Sequence, residues 1–146
     1  MGLLDRILTP RASAPAAPDA LALTFAPAIM RMALGGKDAT TELEALATAV
    51  ATLHYPEGFT DQRVFAIASE VGRMLKVRGI AGVTEALAGG LAPEPRADAI
   101  RLAILAVLLS PLGDEDDLGL LAGLAERLGM PDAEFDALYE SVKPFA

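Results

Sequence analysis

Apolar residues recur at intervals of three and four along most of the chain, and glycines and prolines interrupt them at intervals. Residues 64–75 show the pattern most clearly, with Val64, Ile67, Ala68, Val71 and Leu75 on one side and polar residues between them. This spacing places apolar side chains on one face of an α-helix. The pattern therefore predicts an all-α protein.

Helix caps and breaks predict about seven helices in a single-domain bundle. We expect them near residues 19–34, 41–54, 61–78, 80–87, 96–109, 114–128 and 132–143. Thr41 and Glu44 have the spacing of a capping box, and Pro27 should kink or end the first helix. Residues 96–109 are so apolar that we expect this helix to be buried on most sides.

The length of 146 residues suits one domain, and the 53% hydrophobic content with few aromatics favours closely packed helices. Residues 10–20 contain three prolines among alanines, which predicts a tether. We therefore divide the chain into an N-terminal segment with its Ala/Pro-rich tether, residues 1–19, and a helical domain, residues 20–146. A frayed terminus is favoured for residues 2–8 over contact with a partner or a peripheral contact with a membrane.

A shift of 55 residues aligns two parts of the chain. It superposes Pro56 on Pro111, Gly58 on Gly113 and Asp61 on Asp116. Each part consists of an apolar helix, a Pro-x-Gly turn and an amphipathic helix. We therefore predict a duplicated helix-turn-helix unit.

The net charge of −8 disfavours binding to nucleic acid or to anionic lipid, since both attract Lys and Arg. The chain has no cysteine, no signal-peptide pattern and no apolar run long enough to span a bilayer. We therefore predict a cytoplasmic protein without a transmembrane segment.

The densest chemical signal is a run of four acids, Asp114 to Asp117, beside Gly113. Calcium or magnesium prefers such oxygens, although the spacing does not fit an EF-hand. Acids in a first helical turn also cap free amides without any metal, and this interpretation is favoured. The first repeat offers only Glu57 and Asp61 at the equivalent turn.

We find no catalytic motif in the sequence. His54, the sole histidine, would be a ligand or base beside Glu57, but a boundary histidine bonded to backbone is favoured. The serines lack a second histidine or a lysine relay, and no phosphate-binding glycine loop occurs. We therefore expect a protein that is not an enzyme.

The stretch LAILAVLLSPLGDEDDLGLLAGLAERLGMPDAEFDAL resembles the C-terminal part of the TerB-like family, small bacterial all-helical domains linked to tellurite resistance. The resemblance spans about residues 20–143. It implies a divalent-cation site formed by the acids of both turns, here Glu57, Asp61, Asp114, Asp116 and Asp117. Glu57 and Leu112 replace the family's usual aspartates and Arg63 intrudes, so the implied site is weak or degenerate.

Three functions follow from these observations. The leading one is a non-enzymatic TerB-like domain in tellurite resistance or envelope stress, with a weak cation site or a docked protein partner. The second is a protein-interaction or scaffold module without metal. The third, a carboxylate-metal hydrolase, requires the two acidic turns to lie a few ångströms apart.

Overall fold

The computed structural model describes residues 20–53 and 60–146, and across these residues the protein is helical without a β-strand. The all-α prediction is therefore confirmed. Six α-helices are followed by a short 3₁₀ turn, Lys143–Phe145. The helices are α1 (Ala20–Gly35), α2 (Ala39–Thr52), α3 (Asp61–Gly90), α4 (Pro93–Leu109), α5 (Glu115–Arg127) and α6 (Asp132–Val142).

Helix α4 forms the centre of the bundle and packs against α1, α2, α5 and α6. Its residues Ile100 and Leu102 to Val107 are buried, which confirms the predicted burial on most sides. The helix begins at Pro93, three residues before the predicted start. A proline in the first turn is compatible with a helix, because its missing N–H would have no intrahelical partner there.

Helix α1 lies between α3 and α4 and continues through Pro27 to Gly35. Of the two predicted effects of Pro27, a kink or an early break, the early break is therefore wrong, and the helix ends close to the predicted residue 34. Leu23, Phe25 and Met30 of α1 are buried in the common core. Burial of these large apolar side chains stabilises the helix against the loss of one backbone hydrogen bond.

Helix α3 covers a region for which we predicted two helices separated by Gly79. The helix resumes directly after Gly79, which adopts φ 73° and ψ 173°. Only glycine enters this conformation without strain, so Gly79 accommodates the bend. The break predicted at Gly79 is therefore present, but the two helical segments follow each other without a loop and form one element, so the count of about seven helices is not confirmed. The predicted duplication stays a prediction, because the first Pro-x-Gly turn lies outside the described residues.

The start of α2 differs from its prediction. Asp38, and not Thr41, is the N-cap, and its carboxylate accepts hydrogen bonds from Thr41 N at 2.9 Å and Thr41 Oγ1 at 2.8 Å. These two bonds lower the pKa of Asp38. The side-chain oxygens of aspartate and threonine can both accept hydrogen bonds from the free backbone N–H groups at the start of a helix. Here Asp38, which precedes Thr41 in the chain, takes that role.

Buried apolar side chains from all six helices form one core within the described residues. Residues 1–19, predicted to be a terminal segment and tether, lie outside them. None of the described helices is long and apolar enough to cross a bilayer.

Candidate functional site

The acidic turn forms the N-terminal cap of α5. Asp114 is the N-cap residue, and its Oδ1 accepts a hydrogen bond from Asp117 N at 3.1 Å. In return, Asp117 Oδ2 accepts one from Asp114 N at 3.0 Å. This reciprocal pair is a capping box, so the favoured interpretation of these two acids as helix caps is confirmed.

Lys37, in the loop between α1 and α2, binds the same turn. Its Nζ donates to Asp114 Oδ2 at 2.8 Å, to Asp117 Oδ2 at 2.7 Å and to the carbonyl oxygen of Leu112. Hydrogen bonds to the two carboxylates raise the pKa of Lys37. The hydrogen bond from Lys37, followed by that from the Asp117 amide, lowers the pKa of Asp114. Three oxygens therefore surround one ammonium group.

A buried ion pair lies beneath this turn. Arg31 Nη2 pairs with Glu42 Oε2, and Arg31 Nη1 lies 3.8 Å from Asp117 Oδ1. Arg31, Glu42 and Asp117 are 2%, 0% and 1% exposed. Ser110 Oγ donates to Glu42 Oε1 at 2.7 Å and accepts from Leu112 N at 3.1 Å. Buried charges require pairing and hydrogen bonding, and these contacts offset the desolvation cost of the three buried ions.

We call this set the charge cluster; it comprises Arg31, Lys37, Glu42, Asp114 and Asp117. It joins α1, the loop after α1, α2 and the first turn of α5. With every member ionised it holds two positive and three negative charges. Its ion pairs and hydrogen bonds thus link three neighbouring parts of the chain to the first turn of α5, which is distant in sequence.

The structure brings together two of the predicted metal ligands, Asp114 and Asp117. Asp116 is exposed in the first turn of α5, and Asp61 is exposed at the first position of α3. Glu57 lies outside the described residues, as does His54. Across residues 20–53 and 60–146, no group of three or more His, Cys, Asp or Glu side chains is arranged to hold a metal ion.

Sequence reasoning missed Arg31, Lys37 and Glu42. A signal was present for two of them. Arg31 follows Leu23 and Pro27 at intervals of four, and Glu42 precedes Leu46 by four, so each charged residue shares a helix face with buried residues. A charge on an apolar face implies a buried partner, but helical periodicity does not identify that partner.

A second feature is an apolar groove of about 300 Å³ between α1, the second half of α3 and α5. We call it the α1–α3–α5 groove. Leu34 is 54% exposed and Leu120 is 39% exposed on its walls. Gly119 and Gly123 line it as well, and a Cβ atom at either position would meet no atom within 4 Å. Its other apolar wall residues include Pro27, Met30, Ile80, Leu121 and Leu124.

The charged side chains that line the groove are Arg31 and Arg127. Arg127 is exposed and forms no ion pair with a described residue. Arg31 Nε and Nη1 are buried and have no hydrogen-bond acceptor among the described residues. The groove therefore combines apolar walls with the exposed charge of Arg127 and with the buried donors of the ion-paired Arg31, in a chain whose net charge is −8.

Ser110 is occupied by Glu42 and Leu112, and Glu42 by Arg31 and Ser110. Comparison of the chain with family models, with curated proteins and with solved structures gave no match. The resemblance to the TerB-like family therefore stays a prediction.

Proposed function

We propose that this chain is a non-enzymatic helical domain that binds a partner protein through the α1–α3–α5 groove. The partner segment is an amphipathic helix whose apolar face is flanked by an acidic side chain. The observation that carries this proposal is the open apolar groove with two arginines along it. Laying the apolar face of a helix into such a groove is a recurrent mode of peptide recognition.

The shape of the groove supports a helical ligand. Gly119 and Gly123 are separated by about one turn of α5, and neither carries a side chain into the space above the helix. A partner backbone can approach closely there, while Leu34 and Leu120 on the walls are available for apolar contact. Covering these two side chains removes apolar surface from water, which drives association.

Charge complementarity gives the ligand its acidic character. Arg127 lies at the exposed end of α5, where a carboxylate of the ligand can pair with it. Arg31 also lines the groove, and its buried Nε and Nη1 have no hydrogen-bond acceptor among the described residues. Buried donors without acceptors carry a cost of about 1–3 kcal/mol, so satisfying them favours binding.

A titration of the full chain with a designed amphipathic peptide, leucines on one face and an aspartate at its flank, tests this function. We expect methyl NMR shifts at Met30, Leu34, Ile80 and Leu120, and no such shifts with a scrambled peptide. Gly123→Leu should abolish the shifts, because the new side chain enters the groove. Shifts confined to another face, or none at all, would refute the proposal.

Gly72→Leu is the matched control for Gly123→Leu. Gly72 lies in α3 with open space around its Cβ position, and it does not line the groove. This variant gains the same side chain and should bind the peptide as the parent protein does. Arg127→Glu tests the contribution of charge, since it should weaken binding of the acidic peptide while leaving the apolar walls intact.

The resemblance to the TerB-like family supplies a second candidate, a weak divalent-cation site at Asp114, Asp116 and Asp117 in a tellurite or envelope-stress system. The observation in its favour is that Leu112, Asp114 and Asp117 already direct three oxygens at one cation, the Lys37 ammonium. A metal ion would have to displace this ammonium. We therefore expect calorimetry to show weak heat with calcium or magnesium, and more heat after Lys37→Met. Absence of heat in both proteins would exclude this candidate.

A further inference from the structure

We propose that the α1–α3–α5 groove of one copy of this chain receives α5 of a second copy, in an antiparallel dimer with two-fold symmetry. This inference rests on the proposed function, since it names a protein that presents a helix to the same groove. The surface that carries it comprises Asp116, Leu120, Gly123 and Arg127, which are all exposed and follow one another at intervals of four, three and four. Residues at these intervals share one side of a helix, and we call these four the α5 face.

The α5 face has an acid at one end and a base at the other. Neither Asp116 nor Arg127 forms an ion pair with a described residue. They cannot pair with each other within one copy, because eleven residues along a helix span roughly 16 Å. A parallel neighbour in register would set like charges side by side, whereas an antiparallel neighbour sets each acid beside an arginine. The charges therefore favour an antiparallel second copy.

The same register matches the shape of the α5 face. Asp116 precedes Leu120 by four residues and Arg127 follows Gly123 by four. Pairing the charges therefore places Leu120 of one copy opposite Gly123 of the other. A Cβ atom at Gly123 would meet no atom within 4 Å, so the exposed Leu120 side chain has open space to enter there. The two-fold axis repeats this contact, and each copy supplies both of its halves.

The acids next to the α5 face lie outside it. Glu115 and Glu126 are adjacent in sequence to Asp116 and Arg127, and each lies about 100° away from its neighbour around the helix axis. The α5 face thus carries one negative and one positive charge, in a chain whose net charge is −8. Two copies that meet at this face repel each other less than copies that meet at the acidic parts of the surface.

The dimer also covers apolar surface. Leu34 and Leu120 both line the groove, and both are exposed. A second α5 laid along the groove removes these side chains from water, which drives association. The charge pairs at the two ends of the contact set its direction more than its strength.

An exchange of charges between two variants tests this dimer. Analytical ultracentrifugation of the full chain should show the mass doubling as the protein concentration rises. Asp116→Arg and Arg127→Asp each turn two attractive pairs into two repulsive ones, so each alone should raise the dimer Kd about a hundredfold. An equimolar mixture of the two variants should dimerise again, because every acid then faces an arginine. Asp132→Arg, in the exposed first turn of α6, is the control and should leave dimerisation unchanged.

A second pair of variants tests the contact of Leu120 without changing any charge. Gly123→Leu fills the space that Leu120 of the other copy enters, so it should prevent dimerisation. Gly72→Leu gains the same side chain outside the groove and should dimerise as the parent does. The designed peptide should dissociate the parent dimer, since the peptide and the second copy cover the same surface.

The outcomes separate this inference from the proposed function. A parent chain that stays monomeric at every concentration overturns the inference, and so does a dimer that survives Asp116→Arg, Arg127→Asp and Gly123→Leu. A mixture of the two charge variants that stays monomeric refutes the antiparallel pairing. In each case the proposed function stands if the designed peptide still binds the groove. If the peptide does not bind even the monomeric Asp116→Arg variant, the proposed function fails, and the dimer is judged by its mass alone.

Discussion

Arg31 and Glu42 are charged side chains that the fold has removed almost completely from water. Transfer of an ion into a protein interior costs several kcal/mol, which only close pairing and hydrogen bonds offset. Here Glu42 pairs with Arg31 through one oxygen and accepts from Ser110 through the other. Removal of either partner therefore leaves the other ion uncompensated in the core.

Glu42→Gln should lower the free energy of unfolding by about 3–5 kcal/mol, because it leaves the Arg31 charge without its closest counterion. Urea denaturation measures this loss. Glu44→Gln, at an exposed position of the same helix, is the matched control and should change stability by less than about 0.5 kcal/mol. The double change Arg31→Met/Glu42→Leu removes both charges and should recover much of the loss. Equal stability of Glu42→Gln and Glu44→Gln would contradict this account.

Alanine substitutions at two glycines should change the stability of the protein in opposite directions. A Cβ atom at Gly113 would lie 2.1 Å from the carbonyl oxygen of Val107, a backbone atom that cannot move aside cheaply. Gly113→Ala should therefore destabilise the protein by about 1–3 kcal/mol. Gly119→Ala, inside α5 with open space around it, should stabilise the protein by up to about 1 kcal/mol through helix propensity. Thermal unfolding of both variants checks the prediction, which fails if the two shifts have the same sign.

At the scale of elements, Lys37 fastens the loop after α1 to the first turn of α5. Its hydrogen bonds hold the pKa of Asp114 below the ordinary value of 3.8, and they raise the pKa of Lys37 above 10.5. The contribution of Asp114 to stability is thus present above pH 3.8 and is lost as the pH falls below it. The contribution of Lys37 is present below pH 10.5 and is lost as the pH rises above it.

Lys37→Met should therefore lower the unfolding free energy by a constant amount between about pH 5 and 9, and the difference should shrink outside this window. Chemical denaturation across the pH range measures it. The lowered pKa of Asp38 does not affect the comparison, because Asp38 is present in both proteins. Lys76→Met, an exposed change on α3, is the control and should show no such window. A difference that stays constant to pH 2 would contradict the role of Asp114.

At the scale of the whole molecule, periodicity and punctuation predict the helices and the central place of α4, because a buried face repeats within one element. The contacts of the charge cluster, in contrast, join residues that are far apart in the sequence. Lys37 and Asp117 are 80 residues apart, and Ser110 and Glu42 are 68 residues apart. No local pattern encodes which distant side chains meet, so the sequence predicts the acids of α5 as helix caps, with metal ligation as the alternative, but it does not identify their lysine partner.

The groove was equally inaccessible to sequence reasoning, since its three walls come from helices that are distant in the chain. The glycines of α5 can be read from the sequence. The groove forms, however, only because α1 and α3 pack beside the face of α5 that carries Gly119 and Gly123.

Arg31 belongs both to the charge cluster and to the floor of the groove. A ligand that accepts a hydrogen bond from Arg31 therefore acts on the same guanidinium that faces Glu42 and Asp117. Ligand binding and the positioning of this guanidinium are thermodynamically coupled. A change that makes the guanidinium more mobile therefore weakens ligand binding by the same free energy by which the ligand holds the guanidinium in place. We expect groove occupancy to slow amide hydrogen exchange in the first turn of α2, the helix that carries Glu42 and that lines no part of the groove.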